Sequence, residues 1–466
     1  MVLSTYRAAM FWHKLCHSRS QGTSSAAMTV LFGALLAWAG PASGRLWSVE
    51  QGGTGDFLLI QSAIRAADSG DSIDVGPGVY AERVNFLGKN LAVRSTHGPL
   101  LTIIDAGETG SVVTMATTEG RSALLEGFTL RRGIGTPLNV PGDAAEAGEA
   151  NPRRPDFGLE DLVGAFAREA AREAAGMDDP LERGRCGGGI LLIGTSPVLR
   201  NLIVKENRAE LGGGLYGSNA SPLIEGCVFA RNAAGAGAGA MQEIGGHGTW
   251  RACAFLNNQG ASGGGLTVMF SEADLDNCRF SRNNAGRGGA LYAHGPVTSV
   301  TVHRGVFWGN VAGEGSVVRV VEGSAGLVSC SIAYNGFEGE EAAILDYSDG
   351  ATGHLETSIL YENRSAHVLR CRDAEVSSRC NDHWPPGAPS PDCPPGIDEF
   401  QLDPLFCDPE RGDLRLRADS PALPENAPFG CGLIGAILYY GKSRGGFLGE
   451  SVYRQATGWI VGLVLF

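Results

Sequence analysis

Cys253-Ala254-Phe255-Leu256-Asn257-Asn258 and Cys278-Arg279-Phe280-Ser281-Arg282-Asn283 are two copies of one pattern. It recurs as Leu202-x-Val204-x-x-Asn207, Cys227-x-Phe229-x-x-Asn232, Gly305-x-Phe307-x-x-Asn310, Cys330-x-Ile332-x-x-Asn335 and Ser358-x-Leu360-x-x-Asn363. Seven copies at a period of about 26 residues signal a solenoid, and that period outranks single-residue propensities. The two anchor positions lie two apart, so on a strand they share a face. Cys, Phe, Ile and Leu at those positions suit a core. The Asn comes three residues later, where a turn falls. Stacked coils place each of Asn207, Asn232, Asn258, Asn283, Asn310, Asn335 and Asn363 above the next. An amide donates to one neighbour and accepts from the other, which makes a structural ladder.

Glycine sets the corners. Gly187-Gly188-Gly189, Gly212-Gly213-Gly214, Gly263-Gly264-Gly265 and Gly288-Gly289 precede strand-like runs at nearly one spacing. Ser196-Pro197 and Ser221-Pro222 mark a second turn, one period apart. Glycine reaches positive φ without steric cost, and Asn tolerates the left-handed conformation a tight turn needs. No segment within the repeats is long and periodic enough for a helix. The fold class is all-β, a single-stranded parallel solenoid with three short strands and three turns per coil.

These repeats resemble the right-handed parallel β-helix of the pectate-lyase-like superfold, of the kind found in secreted bacterial proteins. The resemblance spans residues 46–436 apart from one insertion. Gly53-Thr54-Gly55-Asp56-Phe57, the run Leu59–Ile64 and Pro77-Gly78-Val79-Tyr80-Ala81-Glu82 resemble the opening of pectin-methylesterase-like β-helices. Phe57, Ile60, Ile64 and Ala67 form a helical stripe. A short helix there is expected to cap the N-terminal end, because an open coil exposes core and strand edges.

The expected organisation is a leader over 1–44, a β-helix over 45–436 with a helical insertion at 137–185, and a tail over 437–466. The run Val30–Ala39, followed by Ala42-Ser43-Gly44, reads as a signal peptide cleaved before Arg45. The stretch before Met28 is long for an n-region, so Met28 stands as an alternative start. Residues 137–185 are rich in Ala, Glu and Arg, with Leu159, Leu162, Val163, Phe166 and Ala170 on one helical stripe. Either a tethered surface helix or a cover over a binding face accounts for it. The apolar end Trp459–Phe466 is too short to span a bilayer.

Net charge and cysteines bound the partners. A charge of −13 argues against nucleic acid and against an anionic membrane surface. It also disfavours polyanionic sugar polymers unless cations bridge. Of 11 cysteines, Cys16 lies in the leader, which leaves an even ten in an exported chain. Cys227, Cys253, Cys278 and Cys330 occupy the repeat's core position and should be reduced. Cys371, Cys380, Cys393, Cys407 and Cys431 lie in the irregular C-terminal region, and Cys186 is available to pair with an odd one among them. Their spacing matches no zinc motif, so no metal and no cofactor is expected.

Enzymes on this scaffold need clustered carboxylates, a base, or calcium-binding aspartates on one outer face. Polygalacturonase and alginate-epimerase constellations are absent, and the pectin-methylesterase pair of aspartates with an arginine cannot be placed. Asp346, Asp349 and His354, with Glu356, fall within one repeat and are the candidate catalytic residues if they converge at a turn. Solvated turn positions explain them better. Glu243 and His247 form a second pair. Asp274, Asp276, Arg279, Arg282, His303 and Arg304 read as surface or turn charges. Two functional readings follow: an exported, non-catalytic β-helix that binds polysaccharide or cell-surface glycan, or a carbohydrate-active enzyme whose site the motifs do not reveal.

Overall fold

The computed structural model describes residues 44–138, 184–337, 343–385 and 392–436. The leader, nearly all of the helical insertion and the tail lie outside these residues.

One coil shows the plan. Its strands are Leu266–Met269, Glu272–Asp276, Arg279–Ser281 and Asn284–Arg287. Each pairs in parallel, residue for residue, with Leu291–His294, Ser299–His303, Val306–Trp308 and Val311–Glu314 of the next coil. Stacking these strands gives four faces, named first to fourth in that order. The third is an 11-stranded sheet running from Gly78–Tyr80 to Asp382–Trp384. The fourth has five strands, Arg208–Ala209 to Val311–Glu314. In that stretch a coil carries four strand segments, not the three expected, because the chain stays extended after the ladder Asn before it reaches the glycine corner. The first and second faces merge because strand Met241–Arg251 runs through their shared corner unbroken.

The corners depend on left-handed backbone. Gly187, Gly212, Gly263, Gly288 and Gly315 turn at positive φ, and a Cβ on Gly288 would sit 2.3 Å from the Leu291 carbonyl oxygen. At the ladder corner the left-handed residue is the one before the Asn, not the Asn itself. Glu206, Arg231, Asn257, Arg282, Tyr334 and Glu362 hold φ between 46° and 56°. Non-glycine residues reach this region at a cost. Here each bend is fixed by an inter-coil bond, such as Asn257 N–H to the Ser281 carbonyl and Arg282 N–H to the Trp308 carbonyl, both 3.0 Å.

Inside the third face the anchors form columns. Phe229, Phe255, Phe280 and Phe307 stack with centroids 5.4, 4.5 and 5.1 Å apart and planes within 11° of parallel. Beside them runs the amide ladder. Asn258 Nδ2 donates to Asn283 Oδ1 at 3.0 Å and to the Phe229 carbonyl at 2.9 Å. Its Oδ1 accepts from the backbone N–H and Nδ2 of Asn232 at 3.0 and 3.2 Å. The same contacts link Asn207 to Asn232, Asn283 to Asn310, Asn310 to Asn335 and Asn335 to Asn363. Asn207 Oδ1 ends the ladder on the Gly133 N–H at 2.8 Å.

Cys227, Cys253, Cys278 and Cys330 are buried thiols. Each donates to a carbonyl of the preceding coil, those of Leu199, Ile224, Trp250 and Val302, at 3.5–3.7 Å. Burial pushes the Cys330 thiol up to about 12 and raises Cys227 and Cys278 as well. Two disulfides form near the C-terminal end, Cys371–Cys393 and Cys380–Cys431. Cys186 is buried and free and Cys407 is exposed and free, so Cys186 does not pair with the odd cysteine.

Both ends of the solenoid are closed. Helix Ile60–Ala66 packs Ile60, Ala63 and Ile64 onto the first coil. No side chain of its own caps it. Glu82 reaches its start and accepts the N–H groups of Ile60 and Gln61 at 2.8 and 2.9 Å. Lys89 Nζ reaches its end and donates to the carbonyls of Ile64, Arg65 and Ala67. Both charges complement the helix dipole. At the other end Glu399 binds His383 Nε2 at 2.6 Å, Ser378 Oγ at 2.8 Å and Asn381 Nδ2 at 2.9 Å. The β-helix resemblance runs on to residue 436, but beyond two parallel bridges to the last coil, Arg379 with Ile397 and Asp382 with Phe400, the described segment forms no further full coil. Phe406–Asp408 and Asp413–Leu416 pair antiparallel, and Phe406, Leu414, Leu416 and Ile434 cover Val306, Ala333 and Ile359 on the outside of the third face.

One carboxyl points inward. Glu243 lies in the inward row of the first face between Gly217 and Val268. It is 2 % exposed, and Ser271 Oγ donates to its Oε1 at 2.9 Å. Burial pushes its pKa up to about 8. It does not pair with His247, which stands on the outer surface.

Three outcomes follow. Asn258→Ala removes an amide with bonds to both neighbouring coils and should cost about 1–3 kcal/mol in urea unfolding. Unchanged stability would refute the ladder's role. Among the described cysteines, only Cys407 should react quickly with a thiol reagent under native conditions, and a Cys227–Cys253 bridge found by mass spectrometry of unreduced protein would contradict this. From the usual carboxyl value up to about pH 8, folded Glu243 keeps a proton that the unfolded chain has lost. Its contribution to stability therefore falls as pH rises through that window. Thermal melts of Glu243→Gln should lose that part of the pH dependence and gain stability at pH 8; an unaltered profile would exclude the effect.

Candidate functional site

The outer surface of the first face carries a cluster around Asp346. Strand Ala343–Ser348 places this residue between Arg319 of one neighbouring coil and Arg370 of the other. Arg370 Nη2 is 2.5 Å from Oδ2, Arg372 Nη2 is 3.2 Å from the same oxygen, and Arg319 Nη1 is 3.5 Å from Oδ1. Arg319 Nε also meets Glu314 at 3.2 Å. Asp346 is wholly buried, Arg319 and Arg370 nearly so, and Arg372 is 43 % exposed. A buried carboxylate with three guanidiniums is firmly paired, and removing it would strand their charges. It holds arginines in place and is not accessible to take a proton from a substrate.

The other two candidates do not join it. Asp349 sits at the corner after the strand with φ 59° and accepts Ser348 Oγ at 2.5 Å. His354 belongs to the second face, on strand Thr352–Glu356, and lies over Gly326 of the preceding coil. The left-handed turn at Asp349 separates the faces, so Asp346, Asp349 and His354 do not converge at a turn. Glu356 is exposed on the second face.

A different set does converge. On the outer second face, His247 Nδ1 is 2.9 Å from Glu272 Oε2 and its Nε2 is 3.0 Å from Asp274 Oδ2. Strand pairing sets His247 opposite Glu272. Asp274 faces solvent because the strand ends at Asp276 and Asn277 bends at φ 53° before the core Cys278. All three side chains are about half exposed. Of the remaining expected surface charges, Arg304 pairs with Asp276, Arg279 Nη2 donates to the Gly412 carbonyl at 3.2 Å, Arg282 lies over the Trp308 ring, and His303 is exposed.

Sequence reasoning missed Arg319, Arg370, Arg372 and Glu272. Each lies one coil from its partner, so writing the chain in register with the repeat was the available signal. Among the described residues no group of three His, Cys, Asp or Glu is placed to hold a metal ion. No described helix is long and apolar enough to cross a membrane.

Residues 183–335 match the family model of the right handed beta helix region. Among solved structures, pectate lyase Pel9A is similar at 12% identity and TM-score 0.50, over 86% of this chain and 97% of that one. Pectin methylesterase from carrot is similar at 11% identity and TM-score 0.31, over 78% of this chain and 91% of that one. The receptor binding domain of the siphovirus 9NA tailspike matches at 12% identity and TM-score 0.26, over 77% and 76%. No curated protein matches the sequence. The parallel coils, the matched repeat region and the pectate lyase likeness agree on the architecture: the chain is a right-handed parallel β-helix of the pectate-lyase-like superfold.

Proposed function

We propose that this protein is exported and binds a polysaccharide or cell-surface glycan along the outer faces of its solenoid, without turnover. The observation that carries the reading is the state of Asp346. It is wholly buried under Arg319, Arg370 and Arg372, while Asp349 and His354 stand on different parts of the coil. A general acid or base has to reach the proton it moves. The strand faces offer rows of outward side chains at a regular spacing, which suits an extended chain of sugars. Export is supported by the signal-peptide-like run Val30–Ala39 and by the two disulfides, which persist in oxidising compartments.

The alternative, a carbohydrate-active enzyme, is favoured by the exposed His247 between Glu272 and Asp274. An imidazole with two carboxylates on an open face is a set able to move protons.

A glycan array combined with degradation assays on pectin, polygalacturonate and alginate separates the two. Binding without product is expected. Product released by the purified chain and lost in His247→Ala would establish the enzyme and place its site. Loss in Asp349→Ala would instead return the chemistry to the Asp346 corner.

A further inference from the structure

The outer third face carries a cleft of about 650 Å³ at its N-terminal end, where strands Gly78–Tyr80, Thr102–Asp105 and Thr129–Arg131 lie in succession. Arg83, Arg131 and Arg132 line it, together with Asp105, Glu82 and Val79. The volume falls within the range of small-ligand pockets, about 300–1,000 Å³.

The carboxylates here are already engaged. The Asp105 side chain is 7 % exposed. Its Oδ1 accepts the Gly107 N–H at 3.0 Å, and its Oδ2 accepts Arg131 Nε at 2.9 Å and Arg132 Nη1 at 3.5 Å. Glu82 spends both oxygens on the helix start at Ile60 and Gln61. At the rim Glu108 pairs with Arg208, and Glu206, which feels the charge of Arg131, is bonded to Arg231. Three guanidiniums therefore face two occupied carboxylates.

The arginines keep donors in hand. Asp105 holds Arg131 by Nε alone, which leaves both Nη groups of its fork, and holds Arg132 by one Nη. Arg83 makes one long contact, Nη1 to the Thr109 carbonyl at 3.4 Å. Guanidiniums anchored on one edge and open on the other match the planar or tetrahedral oxygens of an anion. Val79, 47 % exposed, adds an apolar surface beside them. A chain of net charge −13 repels a polyanion, so this local excess suits one anionic group on an otherwise neutral molecule.

We infer that this cleft binds a saccharide bearing a single sulfate or carboxylate, with Arg83, Arg131 and Arg132 reading the anion and Val79 meeting the sugar ring. The inference rests on the carbohydrate-binding reading and places a second, charge-selective site far along the chain from the His247 set. Asp105 is a positioning residue that orients two of the arginines.

Isothermal titration of the full chain tests it with four probes: a disaccharide carrying one uronate, a singly sulfated disaccharide, the neutral disaccharide and inorganic sulfate. One or both charged disaccharides should bind at least about tenfold more tightly than the neutral one, and the uronate and sulfate arms tell which anion is preferred. Affinity should fall as salt rises. Arg83→Ala/Arg132→Ala, both at exposed positions, should lose about tenfold or more while keeping the parent melting temperature and any glycan-array binding elsewhere. Equal affinity for neutral and charged disaccharides, an unaffected double variant, or inorganic sulfate binding as tightly as the sulfated sugar would each overturn the inference. If neutral glycans bind on the array and the cleft variants change nothing, this site fails while carbohydrate binding stands. If no glycan binds at all, both fall.

Discussion

The buried asparagine amide at the corner after the third face ties three things together. Its Nδ2 reaches a carbonyl of the preceding coil and the next Asn side chain, and its Oδ1 takes the backbone and side-chain N–H of the coil before. A turn there leaves backbone groups unpaired by any strand, and burying them unbonded is expensive. The amide satisfies them in the successive coils from Asn207 to Asn363. It also fixes the coil-to-coil register, and with it the overlap of the phenylalanine column and the order in which outer side chains line up. Arg319, Asp346 and Arg370 meet because that register never slips across their coils.

A solenoid held this way has its weak points at the ends, where strand edges and core lie open. The structure meets this with distant charged side chains more than with local signals. Glu82 and Lys89 brace the two ends of a seven-residue helix that is too short to stand alone. Glu399 gathers His383, Ser378 and Asn381 over the last coil. The antiparallel C-terminal segment then spends its apolar residues on the outside of the third face and leaves the N-terminal part of that face open, where the arginine cleft lies.

Polar groups divide by which side of the strand they occupy and by what the adjacent coil offers. Glu243 points inward, where the groups bonding to its carboxyl are the Ser271 hydroxyl and the Gly248 backbone, and burial disfavours its charge. Asp346 points outward into three arginines and is bonded on both oxygens. His247, Glu272 and Asp274 point outward and stay about half exposed. Carboxylates on strand positions thus take three chemical characters.

The repeat was legible because it is periodic. One pattern, read seven times, gives the parallel coils, the inward anchors, the reduced core cysteines and the glycine corners, and the stripe from Ile60 to Ala67 gives the capping helix. The residue that takes the left-handed bend was not legible. Any of Glu206, Arg231 or Asn257 accepts it once inter-coil bonds hold the turn. The disulfide partners were hidden too, since bridge geometry depends on which turns bring Cys371 to Cys393 and Cys380 to Cys431. Least legible were the charged clusters. Asp346, Asp349 and His354 are close in sequence but a single bend sends them to different faces, whereas His247 and Glu272 are a full coil apart and touch. Sequence determines what one coil is, because its contacts repeat locally. Which side chains share a surface is decided between coils, by a stacking register that only the folded chain possesses.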